Sequence, residues 1–166
     1  MPRLARAYPR AFALVEEAAR AGERGEIVST LLGRSSPAPG GSWAAVQGEA
    51  SVDQASDQRA RSQARSWGRF TRNFVVQGTA AEWALCWMAG LRQKLWTVTG
   101  GSLTQRPHLV FFLHDEVMVH TPAGLADEVV GLIHEAAADA GRLLFGQMPV
   151  QFPVTATVVD VYADAK

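Results

Sequence analysis

Residues 109–120 read Leu-Val-Phe-Phe-Leu-His-Asp-Glu-Val-Met-Val-His, and this stretch decides the fold prediction. Two short apolar runs, rich in β-branched and aromatic residues, flank the polar centre and are typical of buried strands. Neighbouring side chains along a straight strand point to opposite faces, so a tight turn is the simplest geometry that lets Asp115 and Glu116 converge. The sequence therefore predicts a β-hairpin whose turn carries these two acids.

Two interpretations of the acid pair are open at this point. Ionised carboxylates cost several kcal/mol to desolvate unless a cation or hydrogen-bond donors compensate, and two converging carboxylates form a hard-oxygen site suited to Mg²⁺ or Mn²⁺. Alternatively, Asp115 and Glu116 are incidental acids at a solvated hairpin tip. The turn lacks the Gly, Asn or Pro that two-residue hairpins usually contain, and this absence favours a functional turn.

Composition restricts the class of protein. A chain of 166 residues with 48% hydrophobic residues suits one domain with a real core. The only cysteine, Cys86, excludes an intrachain disulfide framework and a multi-cysteine zinc site, and it fits a reducing, cytoplasmic setting. No secretory leader is evident, and the most apolar window, residues 74–91, is interrupted by Gln77 and Glu82. We therefore expect a soluble protein with no membrane partner.

The remaining chain predicts long helices around the hairpin. One helix is expected over residues 4–21, with its regular part starting at Pro9. Residues 33–48 have the composition of a flexible loop. A long helix capped by Ser51 leads toward a second helix from Thr79 to Leu95, and Pro122 opens another. Residues 150–162 are expected to form a third strand beside the hairpin. The predicted fold class is α+β, with a hairpin and third strand packed on long helices.

A row of cations marks one face of the long helix. The formal net charge is zero, yet residues 1–72 contain eleven Arg and seven acids. Helical spacing puts Arg61, Arg65 and Arg69 on one side, continued by Asn73 and Gln77 at i, i+4 steps. The opposite side, with Trp67, Phe70 and Phe74, is expected to face the core. The cationic face could be simply solvated, could follow a phosphate backbone, or could bind an acidic protein.

Two motifs in this order resemble a known family. Residues 69–81 read Arg-Phe-Thr-Arg-Asn-Phe-Val-Val-Gln-Gly-Thr-Ala-Ala, and they precede the His-Asp-Glu stretch. Together they resemble the C-terminal palm region of family A DNA polymerases, the bacterial polymerase I type. Residues 8–12, Tyr-Pro-Arg-Ala-Phe, and residues 30–34, Thr-Leu-Leu-Gly-Arg, are similar to the region after that family's fingers helix. The resemblance spans nearly the whole chain and implies a single partial domain, 1–166, derived from palm and fingers.

The resemblance implies a role for each matching residue. Asp115 corresponds to the metal-binding aspartate of motif C, Glu116 to its acidic neighbour, and His114 to a residue near the primer terminus. Arg69, Asn73 and Gln77 fall on positions that contact template or primer in the minor groove and steady the catalytic carboxylates. The implied cofactors are two Mg²⁺ or Mn²⁺ ions. The implied partners are primer-template DNA and, in the complete enzyme, deoxynucleoside triphosphates, with a function in DNA replication or repair.

The resemblance also implies what these residues lack. No segment matches the motif A aspartate or the nucleotide-gripping fingers helix, so we expect the chain to be an inactive C-terminal part that needs an upstream polymerase region. A second hypothesis is a non-catalytic remnant that binds duplex DNA through the arginine face. A third, a different metalloenzyme using His114, Asp115 and His120, is disfavoured because these residues do not share a face on β structure.

Overall fold

The computed structural model describes residues 2–98, 102 and 105–165. The fold is α+β, as predicted, with long helices and an antiparallel hairpin. The chain divides into two compact units, Met1–Ala81 and Glu82–Lys166. Each unit has a buried cluster of its own. In the described part of the chain, no helix has the length and apolar character needed to cross a membrane.

The first unit begins with two helices separated at Tyr8. Helix α1 covers Pro2–Ala7 and α2 covers Pro9–Glu23. Pro9 opens α2, as predicted, because a proline at the first helical position needs no hydrogen-bond partner for its nitrogen. The loop predicted over residues 33–48 ends instead in a short helix, α3, at Ser42–Gly48. Trp43 anchors this helix, since its ring lies 6.3 Å from that of Trp67, centre to centre.

Small side chains let α2 lie close to the long helix α4, which covers Gln54–Val98. A Cβ atom on Gly22 would overlap the Oγ1 atom of Thr71, and one on Gly68 would lie 2.8 Å from the carbonyl oxygen of Ala19. The Thr71 hydroxyl is fully buried and donates a hydrogen bond to the Ala18 carbonyl at 2.7 Å. The buried face of α4 in this unit is therefore centred on its smallest residues.

Because of this close packing, the buried face of α4 differs from the predicted one. Phe70, expected in the core, is 38% exposed, and Trp67 and Phe74 are only partly buried. Thr71 and Val75 take the buried positions instead. A helix can approach another most closely along a line of small residues, so the large aromatic side chains lie beside the contact and not in it.

A single 45-residue helix replaces the two helices predicted between Ser51 and Leu95. Its first turn is capped by Asp53, whose Oδ1 atom accepts a hydrogen bond from the Ser56 amide at 2.7 Å and so lowers the Asp53 pKa. The predicted Ser51 cap is therefore wrong by two positions. Thr79, predicted as a helix start, lies inside α4 with its hydroxyl donating to the Val75 carbonyl at 3.0 Å.

The second unit packs the hairpin against two helices. Strands β1, His108–Leu113, and β2, Glu116–His120, form the predicted antiparallel hairpin, and α5 covers Ala126–Phe145 after a short 3₁₀ turn. The core consists of side chains from the C-terminal part of α4 and from α5: Trp87, Leu91, Leu95, Val129, Ala136, Ala137 and Ala140. The Trp87 indole donates a hydrogen bond to the Ile133 carbonyl at 3.1 Å, so this bulky core residue has no unpaired polar group.

The predicted third strand is wrong, because the described sheet contains only β1 and β2. Residues 151–159 have no regular structure, although alternate side chains from Phe152 to Ala156 are half-buried as in a strand. The Phe152 ring stacks on those of Trp83 and Phe145, with centres 4.8 and 5.1 Å apart. Pro153 lacks an amide donor. Side-chain packing therefore holds this extended segment where a strand would use backbone hydrogen bonds.

Candidate functional site

The hairpin turn consists of His114 and Asp115, and Glu116 is the first residue of β2, paired with Leu113. The turn thus lies one residue earlier than predicted. His114 has φ +57° and is the single non-glycine residue with positive φ in the described chain. The favoured two-residue hairpin turns require a positive φ at their first central residue, and His adopts this conformation more readily than most residues. All three predicted catalytic residues, His114, Asp115 and Glu116, are exposed at this tip.

A β-bulge decides which side chains face the helices. The register changes between Leu109 and Phe111, so Val110 is the extra residue of β1. Downstream of it, the pairings place Phe111 and Glu116 on one face of the hairpin. Val117 and Val119 lie on the other face and, with Leu109, pack on the core. Glu116 therefore points away from the core, toward the outer face.

Tyr162 contacts this outer face from the C-terminal segment. Its hydroxyl donates a hydrogen bond to the Glu116 Oε2 atom at 3.0 Å, and its ring meets Phe111 edge-on with centres 5.5 Å apart. The hydrogen bond to the Glu116 carboxylate, followed by its negative charge, raises the Tyr162 pKa above the usual value of 10.0. No motif in the sequence predicted a role for Tyr162. Its signal was an aromatic side chain with a polar tip in a segment predicted to lie beside the hairpin.

The predicted DNA-contact residues form an exposed row on α4, within the first unit. Arg61, Arg65, Arg69, Asn73 and Gln77 succeed one another at four-residue steps, and each is exposed. The Arg61 guanidinium pairs with Asp57 at 3.0 Å. Arg65 and Arg69 have no acidic partner among the described residues. The helix thus presents two uncompensated cations next to two amide side chains.

The motifs and their placement agree with the comparison of the chain with known proteins. The sequence profile of DNA polymerase family A matches residues 1–164, nearly the entire chain. The chain belongs to DNA polymerase family A. The searches of curated proteins and of solved structures return no match. The family assignment therefore depends on the profile match. This match confirms the resemblance to family A polymerases that residues 69–81 and 109–119 suggested.

The carboxylates of Asp115 and Glu116 are of the ligand type that divalent ions such as Mg²⁺ prefer. Mg²⁺ is usually bound by one or two carboxylates together with substrate phosphates and water. Asp115 and Glu116 supply two such carboxylates in adjacent, exposed positions. Within residues 2–98, 102 and 105–165, no group of three or more His, Cys, Asp or Glu residues could hold a metal ion. Two carboxylates are fewer ligands than Mg²⁺ requires, so any ion bound at this tip would need further ligands.

The third hypothesis, a metalloenzyme using His114, Asp115 and His120, does not fit the hairpin. His120 is the last residue of β2 and pairs with His108, whose ring centre lies 5.3 Å away. It is four residues beyond Glu116, which corresponds to about 13 Å along a strand. His114 and Asp115 lie at the turn, so the three side chains cannot share one ion.

Proposed function

We propose that this family A chain takes part in template-directed nucleotidyl transfer to DNA, in replication or repair. In this proposal Asp115 and Glu116 are divalent-metal ligands, and His114 lies beside the primer terminus. The exposed row of α4 contacts the primer-template. The observation that carries the proposal is the exposed acid pair at the hairpin tip, Asp115 in the turn and Glu116 at the start of β2, in a chain whose family profile covers residues 1–164.

In nucleotidyl transfer the protein mainly positions the reacting groups and does little covalent chemistry itself. Bound divalent ions would stabilise the charge that develops on the attacking and leaving oxygens of an in-line displacement. Asp115 and Glu116 would hold such ions through carboxylate oxygens that remain accessible at the tip. Arg65 and Arg69 would offset phosphate charge, while the amides of Asn73 and Gln77 can both donate and accept hydrogen bonds at base edges or sugars.

One acid pair does not make a two-ion site by itself. The described residues offer no third ligand next to Asp115 and Glu116, and the sequence has no match to the motif A aspartate or to the nucleotide-binding fingers helix. In this proposal another polypeptide segment supplies both, as the resemblance to the family implies. These 166 residues alone would therefore bind DNA without extending a primer.

Primer extension tests the proposal directly. The chain would be assayed alone and after fusion behind a family A segment that carries motif A and the fingers helix, with that segment alone as the control. We expect extension only from the fusion, because only there do both carboxylate segments occur. A fusion that folds and binds DNA yet extends no primer would contradict the proposal, and so would full activity of the 166 residues alone.

The exposed row also supports a second candidate function, duplex binding without catalysis. Arg65 and Arg69 lie one turn apart on α4, and like charges at this spacing repel each other by a few tenths of a kcal/mol. A phosphate backbone alongside the helix would remove this repulsion and release counterions. The two candidate functions share this surface and differ in whether the acid pair is used.

A salt titration of duplex affinity measures the contribution of the row. Replacing Arg65 and Arg69 together with Ala should reduce the slope of log affinity against log salt by about 1.8, because each lost phosphate contact accounts for about 0.9. The matched control removes two exposed arginines of α2, Arg10 and Arg20. A double Lys variant at positions 65 and 69 should keep the slope. Equal slopes for the α4 and α2 double variants would show that the row does not contact phosphates.

A further inference from the structure

Tyr162 makes two contacts that join the C-terminal segment to the outer face of the hairpin. The ring meets Phe111 of β1 edge-on, and the hydroxyl reaches Glu116 of β2. Phe111 and Glu116 lie on the same face, diagonally across the two strands. These two contacts, on different strands, orient the Tyr162 ring, half of whose surface is exposed, toward Glu116. The packing of the Tyr162 ring against Phe111 therefore supports the hydrogen bond from its hydroxyl to Glu116.

The chemistry of this hydrogen bond suits a carboxylate that must remain charged. A phenol donates one hydrogen and carries no charge at neutral pH, so it orients Glu116 without neutralising it. A carboxylate has about four lone-pair directions, and the hydroxyl uses one of them, on Oε2. No Lys or Arg forms an ion pair with Glu116 among the described residues. The remaining lone pairs stay available to a cation.

The geometry points to Tyr162 as a positioning residue for Glu116, which it holds in the orientation needed for divalent-ion binding beside Asp115. This inference rests on the proposed nucleotidyl-transfer function. Without the hydroxyl, the exposed Glu116 side chain would sample several rotamers, and each ion bound would have to select the productive one. Partners that hydrogen-bond a metal ligand in this way typically change metal affinity by about 10- to 100-fold when removed.

Tyr162→Phe is the decisive variant because it keeps the ring on Phe111 and removes only the hydroxyl. In the extension-competent fusion with primer-template and no nucleotide, we expect the Mg²⁺ dissociation constant measured by isothermal titration calorimetry to rise about 10-fold. The Mg²⁺ concentration for half-maximal extension should rise in parallel, with the rate at saturating Mg²⁺ largely retained. The chain has one other tyrosine, Tyr8, which is exposed between α1 and α2, so Tyr8→Phe is the matched control. It should leave the Mg²⁺ dependence unchanged.

A double-variant cycle with Glu116→Gln separates positioning from a structural effect. If Tyr162 acts through the Glu116 carboxylate, Tyr162→Phe should add nothing to the Mg²⁺ requirement of the Glu116→Gln protein. An equal shift in both backgrounds would overturn the inference, as would a Tyr162→Phe protein with the Mg²⁺ dependence of Tyr8→Phe. Loss of the proposed function would appear differently, as extension that survives replacement of Asp115.

Discussion

Replacing Asp115 with Ala should lower primer extension by the fused polymerase at least about 100-fold, because a metal ion that stabilises the transferring phosphoryl group contributes several kcal/mol to the barrier. Asp115 lies in the turn, is exposed and directly precedes Glu116. DNA affinity should change little, since Asp115 is not part of the exposed row on α4. Single-turnover extension and duplex binding, measured on the same protein, separate the two effects.

Conservative variants identify the property of Asp115 that matters. Asp115→Asn keeps the size and removes the charge, so it should lose nearly as much activity as Asp115→Ala. The matched control is Asp127→Asn, an exposed acid in the first turn of α5, which should retain normal extension. If Asp115→Asn and Asp127→Asn extend primers equally well, Asp115 is not a metal ligand and the catalytic proposal fails.

The largest effect on stability is expected from Leu91→Ala. Leu91 has no exposed surface and lies in the core of the second unit with Trp87 and Val129. Truncating a fully buried leucine removes its transfer free energy and leaves a cavity, so the free energy of unfolding should fall by about 2–5 kcal/mol. This is a large part of the total stability of an ordinary domain, about 5–15 kcal/mol. Urea denaturation followed by far-ultraviolet circular dichroism measures it.

Leu85→Ala is the control for this substitution. Leu85 lies on the same helix, α4, and is 53% exposed. The same change of side chain there should cost no more than about 0.5 kcal/mol, since it creates no cavity. Equal destabilisation by both variants would show that Leu91 is not enclosed by a packed core in solution.

Local sequence signals predicted much of the molecule. The β-branched runs on either side of the acids gave the hairpin, Pro9 gave the start of α2, and four-residue spacing gave the exposed row on α4. In each of these cases the signal and the structure involve neighbouring residues. The hairpin and the exposed row could therefore be predicted from the sequence, although the turn lies one residue earlier than predicted.

The features that the sequence analysis missed depend on contacts between distant residues. Thr79 looks like a helix start, but its hydroxyl is satisfied inside α4 by the Val75 carbonyl. Phe70 looks like a core residue, but the contact of Gly22 with Thr71 sets the buried face of the helix. Tyr162 lies 46 positions from Glu116 along the chain. No local sequence pattern predicts contacts between residues so far apart along the chain.

The bulge at Val110 makes the strand tolerant of a change in its length. Without this residue, strict alternation would still put Leu109 on the inner side with Val117 and leave Phe111 on the outer side with Glu116. The bulge residue can thus be lost without moving Glu116 to the other face of the hairpin. A single insertion anywhere between the bulge and the turn would instead move the neighbouring β1 side chains to the opposite face of the hairpin. Because of the bulge at Val110, a change of length in the connector before β1 need not change the orientation of the carboxylates.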